Sequence, residues 1–230
     1  AIDAVNRPMH MDESLVEKLV PFVKKSYSVQ LHGIGEPFLS KSFWELLEHL
    51  PPPADWYEWN RAEHGKCTSS VNTNLTILKE EHIMKILKSN LSVISVSLDA
   101  ANEKTYRKIR GYDFKKVIDN LKNLIKAKGK REFPKICANM TLMKENVMEI
   151  IDFLDLTIGD LGCDVVKTWS LNDMSLGEKQ KYSKNIDGWN FNYEDQGEWN
   201  NGDLFSREVE KAKQYAKEKK WWFEYDANKV

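Results

Sequence analysis

The chain has 230 residues, with 34 Lys plus Arg against 35 Asp plus Glu and a formal net charge of −1. That length suits one large α/β domain that buries its own core without staples, and the balanced charge excludes a strong basic field for nonspecific nucleic-acid binding. The three cysteines, Cys67, Cys137 and Cys163, are widely spaced and match no CxxC, CxxxC or Cys/His zinc pattern.

No apolar run approaches the roughly 18 residues that span a bilayer. The expectation is therefore a cytoplasmic protein with reduced thiols, no membrane partner and no nucleic-acid partner. Ala1 to Pro8 reads as an entry in mid-domain.

Asp12 to Lys25 reads as a helix, with Leu15, Leu19, Val20 and Val23 at helical spacing, Asp12 as N-cap and Pro21 as a potential kink. Ser28 to Leu31 reads as a short strand ended by His32-Gly33-Ile34-Gly35-Glu36-Pro37. Ser40 to Leu50 is the next helix, stopped by Pro51-Pro52-Pro53. Ala54 to Lys66 is a polar and aromatic insertion. A strand over Cys67 to Val71 leads into Asn72-Thr73-Asn74, followed by a helix over Lys79 to Lys88. Val93 to Leu98 is a clear strand, and Asp99-Ala100 turns into a helix over Asn102 to Ile109. Phe114 to Ala127 is amphipathic, with Val117, Leu121, Leu124 and Ile125 on one face. A strand over Lys135 to Leu142, a helix over Val147 to Ile158 and a strand over Asp164 to Thr168 complete the series.

This βα alternation up to Ser170 implies parallel strands with right-handed crossovers. Asn172 to Asp203 lacks period and reads as a long loop or lid, or as wrapping that partly orders on a partner. Leu204 to Lys220 is a last helix, and Trp221 to Tyr225 a possible final strand. The expected organisation is a barrel core over 1–170 and, in the same domain, a C-terminal loop, helix and strand over 171–230.

In parallel βα folds ligands gather just past the strand ends. Gly33-Ile34-Gly35-Glu36-Pro37 offers close backbone approach and a carboxylate, which suit an ammonium group; it also fits an ordinary Gly-rich turn. Asn72-Thr73-Asn74 supplies short polar groups that serve equally as turn or cap residues. Alternation puts Ser97 and Asp99 on one face, suited to a ribose diol or, for Asp99, to capping the next helix. Arg110, followed by Gly111, either clamps a carboxylate or is a cation favoured at a helix C-terminus. Asn139 and Trp169 either line the ligand end or pack. Trp56, Trp59, Trp189, Trp199, Trp221 and Trp222 form a substrate or peptide surface, or anchor loops.

Taken in order, GIGEP, NTN, SLDAANEKTYRKIRG, DFKKVIDNLKNLI and ANMTLMKEN resemble the radical S-adenosylmethionine (radical SAM) enzymes over about Met9 to Ser170. The chain is most similar to the branch whose members often carry an auxiliary-cluster SPASM domain and act on peptides or other macromolecules. The resemblance implies a partial (βα)6, TIM-like barrel. It also implies binding of the methionine amino group of SAM by Gly33, Gly35, Glu36 and Pro37, with Ile34 as a spacer. Thr73 would match the polar residue of the TNG segment, although Leu75 stands where its glycine usually is. Ser97, with Asp99 beside it, would meet the ribose or carboxylate. Arg110 would reach the SAM carboxylate, Asn139 would lie near the ribose and Trp169 near the adenine.

The same resemblance implies a [4Fe–4S] cluster held by a CxxxCxxC loop and an electron donor such as flavodoxin or ferredoxin. It implies a 5′-deoxyadenosyl radical that abstracts hydrogen from an unknown substrate, with peptides among the candidates. The chain departs from the pattern in lacking that loop. The expectation is that the loop, with the first strand, belongs immediately before Ala1. Two competing readings are a non-catalytic SAM-fold binding module and an unrelated βα-barrel lyase or isomerase. The latter would need a catalytic lysine or carboxylate pair at the strand ends.

Overall fold

The structure, a computed structural model, describes residues 11–33, 35–54, 65–172, 184–186 and 189–226. The expectations for Ala1 to Pro8, Ile34, Trp56 and Trp59 fall outside these residues. In chain order the strands are β1 (Ser28–Gln30), β2 (Thr68–Thr73), β3 (Val93–Ser97), β4 (Lys135–Leu142), β5 (Val165–Ser170), β6 (Lys184–Ile186), β7 (Trp189–Phe191) and β8 (Phe223–Asp226). The helices are α1 (Glu13–Val23), α2 (Lys41–Leu47), α3 (Glu80–Lys88), α4 (Glu103–Arg110), α5 (Phe114–Lys128), α6 (Ile150–Leu154), α7 (Tyr193–Gln196) and α8 (Gly202–Lys219). The main sheet is a parallel one of six strands in the order β1-β2-β3-β4-β5-β8. This is the α/β arrangement expected of a partial TIM-like barrel.

The chain forms two compact units, one of residues 1–95 with 127–135, the other of 96–126 with 136–230. In the first, β1 pairs with β2 from Ser28 opposite Thr68 to Gln30 opposite Ser70. Asp12 caps α1 by accepting from the Ser14 N–H at 2.9 Å, which satisfies one donor of the first turn. Pro21 is held within α1. Phe38, Phe43, Leu46, Leu47, Val71 and Ile86 are buried around these elements. A reciprocal pair ties β2 to the start of β3: the Ser69 N–H donates to Ser92 Oγ at 3.1 Å, and the Ser92 N–H to Ser69 Oγ at 2.9 Å.

In the second unit the period-two pattern of β4 is decisive. Ile136, Ala138, Met140 and Leu142 are fully buried on one face. The other face carries Cys137, Asn139 and Thr141, which the register aligns with Val165, Lys167 and Trp169 of β5. Lys167 and Trp169 stand in turn opposite Glu224 and Asp226 of β8. Two contacts verify this division. Trp169 Nε1 donates to Thr141 Oγ1 at 3.0 Å on the polar face, and Ser170 Oγ meets the Tyr225 hydroxyl at 3.1 Å on the opposite one. Helix α8 lies on the Tyr225 side, where Lys213 Nζ sits 5.9 Å from the Tyr225 ring.

Three expectations are corrected. The single helix over Val147 to Ile158 is a 3₁₀ turn (Val147–Glu149), the short α6 and a π-helical segment (Asp155–Asp160). The period-less stretch 172–203 contains the antiparallel β6–β7 hairpin, α7 and a 3₁₀ turn (Glu198–Asn200). The helix after β3 is capped by Asn102, whose side chain accepts from the Thr105 N–H at 3.0 Å, not by Asp99.

Candidate functional site

Within the first unit, the end of β1 and the end of β2 meet through one carboxylate. Glu36 Oε1 accepts from the Thr73 hydroxyl at 2.6 Å and from the Phe38 N–H at 3.3 Å, and Oε2 accepts from the Asn74 N–H at 2.8 Å. Those bonds use three of the roughly four acceptor sites a carboxylate has. Thr73 is 2% exposed, and its hydroxyl also accepts from the Leu75 N–H at 2.9 Å, so it is occupied by the turn itself. Pro37 is buried at the start of a 3₁₀ turn (Pro37–Leu39). Gly33 and Gly35 are exposed, and a Cβ on either would meet no atom within 4 Å. Gly35 has φ +117°, a conformation closed to ordinary side chains. The backbone at Gly33 and Gly35 is thus open to a ligand, while Glu36 ties the end of the turn to Thr73 and Asn74.

Just before it, the His32 ring Nε2 lies 3.3 Å from Asn72 Nδ2. Burial lowers the His32 pKa, against a smaller opposing effect of the Ser70 backbone. Past β2, Leu75 is fully buried with φ 58°. This is the position where the TNG pattern has glycine, and the left-handed backbone supplies the physical reason for that glycine.

Within the second unit, the end of β3 is built around Asp99, which is 3% exposed. Its φ of 59° takes it out of extended geometry after β3 closes at Ser97, so alternation does not govern where its side chain points. Asp99 Oδ1 accepts from the Thr141 N–H at 2.7 Å, and Oδ2 pairs with Arg110 Nη2 at 2.5 Å. Burial raises the Asp99 pKa, and Arg110 and Thr141 oppose that rise. Asn146, fully buried, holds the loop: its Nδ2 donates to the Asp99 and Thr141 carbonyls at 2.8 and 2.9 Å, and its Oδ1 accepts from the Met143 N–H at 2.8 Å.

Asn139 is 1% exposed, and its Nδ2 has no hydrogen-bond partner among the described residues. Its Oδ1 accepts from Cys137 Sγ at 3.2 Å. A buried amide donor without an acceptor is costly and is retained where something else supplies one. The structure therefore brings together Glu36 with Thr73 in one unit. In the other it joins Asp99 with Arg110 and Asn139, the Asn139 carbonyl accepting from the Leu98 and Asp99 N–H groups at 3.1 Å. Trp169 joins that face through Thr141. Sequence reasoning missed Asn146, Thr141, Lys167, Glu224 and Asp226. The period-two patterns of KICANMTL and VVKTWS carried the signal for Thr141 and Lys167, and MKEN that for Asn146.

Cys67, Cys137 and Cys163 are buried, Cys67 in the first unit and the other two in the second. Among the described residues no group of three His, Cys, Asp or Glu side chains could hold a metal ion. No residue described here fits as a ligand set for an iron–sulfur cluster. In the first unit the exposed backbone at Gly33 and Gly35 fits an ammonium group; in the second, the unpartnered Asn139 amide fits a ligand oxygen.

Residues 4–157 match the family model of the Radical SAM superfamily. The chain belongs to that superfamily. Among curated relatives, a protein of Saccharolobus islandicus (strain Y.N.15.51 / Yellowstone #2) named probable GTP 3′,8-cyclase is 29% identical over 164 residues, covering 70% of this chain and 47% of the relative. The chain thus spans about half the length of the curated relatives it matches. Streptococcus suis SuiB superposes with a TM-score of 0.64 at 16% identity, over 96% of this chain and 44% of that one. Its form bound to S-adenosylmethionine gives 0.62 at 16% identity, over 93% and 42%. The protein anSMEcpe, with bound AdoMet and the Cp18Cys peptide, gives 0.52 at 17% identity, over 75% and 46%. At these identities the structural likenesses concern the fold. Membership of the superfamily implies S-adenosylmethionine and an iron–sulfur cluster as cofactors.

Proposed function

We propose that this chain is the S-adenosylmethionine-binding core of a radical SAM enzyme that abstracts hydrogen from its substrate. The observation that carries the reading is the unpartnered, buried Asn139 amide on the polar sheet face, in a chain whose β1 is followed by the exposed Gly33 and Gly35. In this reading the carbonyl groups around Gly33 and Gly35 and the remaining acceptor site of Glu36 take the methionine ammonium. Asn139 and Ser97 meet the ribose, and Trp169 lies near the adenine. Arg110 carries five N–H donors; its Nη2 contact to Asp99 leaves others for the methionine carboxylate. When bound with a reduced cluster, S-adenosylmethionine supplies the 5′-deoxyadenosyl radical of the family. The residues of this chain bind it, orient it and exclude water.

The cluster ligands are proposed to come from residues other than Cys67, Cys137 and Cys163. A peptide or another macromolecule as substrate remains part of the proposal, as do a flavodoxin- or ferredoxin-like electron donor and a cytoplasmic location. The described cysteines, none of them placed for a cluster, favour a second reading: a SAM-fold binding module without catalysis.

Calorimetry with S-adenosylmethionine tests the shared part of both. Hydrogen bonds to a charged group are worth about 1.5–3 kcal/mol. Glu36→Gln should therefore weaken binding by roughly ten- to a hundredfold, and Asn139→Leu should weaken it measurably without lowering thermal stability. Unchanged affinity in both variants would remove the site from consideration.

A further inference from the structure

In the first unit the two faces of the sheet treat their polar groups differently. Along β2, Ser69, Val71 and Thr73 point into the core, and Thr68, Ser70 and Asn72 to the half-buried side. The polar groups of the core face are bonded: Ser69 exchanges hydrogen bonds with Ser92, and Thr73 donates to Glu36. On the other side Thr68 Oγ1 is buried with no hydrogen-bond partner among the described residues. The Ser70 hydroxyl, Asn72 Oδ1 and the amide of the exposed Gln30, which the register sets opposite Ser70, bond to no described residue either. His32 joins this side through its contact with Asn72 Nδ2 at 3.3 Å.

A hydroxyl out of water without a partner is costly and is retained where a ligand completes it. Residues two apart on a parallel strand repeat at about 6.6 Å, so Thr68, Ser70 and Asn72 form a row about 13 Å long. Backbone groups on one side of an extended peptide repeat at about 6.8 Å. A peptide lying along β2 therefore meets the row in step, its N–H and C=O groups opposite hydroxyls and amides that both donate and accept. The row carries no charge, and burial lowers the pKa of His32, which keeps its ring neutral at pH 7. A phosphate chain finds no cation here, which favours a peptide backbone over a nucleic acid.

We propose that Gln30, Thr68, Ser70 and Asn72 form a track for the backbone of an extended peptide substrate, with His32 as a positioning residue that orients the Asn72 amide. With the ring Nε2 accepting from Asn72 Nδ2, Asn72 Oδ1 is left for a peptide N–H. The track rests on the peptide reading above and makes recognition depend on the peptide backbone rather than on its side chains. It leaves the Gly33 and Gly35 backbone to the methionine ammonium.

Acetyl-tetraalanine amide is the probe. The ¹⁵N-labelled 230-residue chain is titrated while the side-chain amide signals of Gln30 and Asn72 are followed, assigned by their loss in Gln30→Met and Asn72→Leu. Both signals should shift saturably. Acetyl-tetraserine amide, with the same backbone, should bind within about threefold of it, whereas the fully N-methylated tetraalanine should bind at least about tenfold more weakly. Thr68→Val combined with Ser70→Ala should weaken the peptide by at least about tenfold and leave S-adenosylhomocysteine affinity unchanged. His32→Leu should weaken the peptide about three- to tenfold, and His32→Gln, which keeps an acceptor for Asn72, should restore most of that loss.

If calorimetry shows the peptide binding while neither amide signal moves, the peptide reading stands and the track falls. If S-adenosylhomocysteine fails to bind while the peptide still moves both signals, the cofactor reading falls and the track stands. No peptide binding by either measure overturns both the track and the peptide reading. An equal response to the N-methylated analogue or to tetrauridylate, or full peptide affinity in the Thr68→Val, Ser70→Ala double variant, overturns the track. Equal losses in His32→Leu and His32→Gln overturn the role of His32.

Discussion

Arg110 and Asp99 form the most consequential pair at the level of single residues. The Asp99 carboxylate is taken out of water, and Arg110, 31% exposed, is its only charged partner among the described residues. Removing one member of a buried pair leaves the other charge uncompensated, at a cost of about 3–5 kcal/mol when both are buried. Water reaches Arg110, so Arg110→Ala should cost less, about 2–3 kcal/mol. Because Asp99 has a raised pKa, the folded state holds its proton to higher pH than the unfolded state does. Stability therefore falls as pH rises from the ordinary carboxylate value through the raised one. Without the arginine, which opposes the rise, that window extends upward. Urea unfolding should thus show Arg110→Ala losing more stability near pH 8 than near pH 5, and Asp99→Asn added to it should recover most of the difference. A pH-independent loss would show that Arg110 acts only by ending its helix.

Much of this site was legible residue by residue. GIGEP and the Ser97 to Arg110 stretch stand at strand ends because βα order placed them there. The use of each group was not legible. Thr73 is consumed by Glu36, and Asp99 by Arg110 and Thr141, because a positive φ and a partner 42 residues away are tertiary facts. Leu75 shows the opposite case. Its place where glycine is usual looked like a departure, and its φ of 58° shows that the backbone kept the conformation while the side chain gained full burial.

At the level of elements, propensity and periodicity set most boundaries within a residue or two. They failed where packing overrides local preference. The stretch after β4 has the apolar spacing of one helix. It widens into a π-helical segment because Thr157 Oγ1 donates to the Phe153 carbonyl at 2.6 Å and the chain must exit toward Gly162 at φ +85°. Gly159 within it faces Trp221, and a Cβ there would come 3.1 Å from Cη2 of the indole. A larger side chain forces one of the two aside, and overpacking of this kind costs about 1–3 kcal/mol. Gly159→Val should lower thermal stability by that amount, and Trp221→Phe should restore part of it in the double variant. Additive losses would mean that the two do not press on each other.

The 172–203 stretch was unreadable for a different reason. Its turns are held by side chains rather than by hydrophobic period. Gln196, 7% exposed, bonds the Lys144 and Glu145 N–H groups through its own carbonyl and its Oε1, at 2.9 and 3.1 Å. Glu198 accepts from Tyr225 at 2.8 Å and from Ser170. None of these partners lies within 20 residues in sequence, so no local pattern announces them.

For the molecule as a whole, membership of the Radical SAM superfamily raises the question of the cluster. Burial pushes the Cys67 thiol pKa up to about 11, which disfavours the thiolate that iron requires. Cys137 is fully buried, with its thiol directed to Asn139. Anaerobic reconstitution of this chain with iron and sulfide should therefore yield no stoichiometric cluster by iron analysis and visible absorbance. A cluster bound in full occupancy by this chain would show that its cysteines can be recruited after all.

The two compact units interleave along the chain. The first needs residues 127–135, and the second begins at residue 96. During synthesis the first unit cannot close until residue 135 has left the ribosome, by which point the opening stretch of the second is already exposed. At about 5–20 residues per second, that stretch waits some seconds for β4. The amphipathic α4 and α5 belong to that exposed stretch, and no single cut in the chain separates the two units.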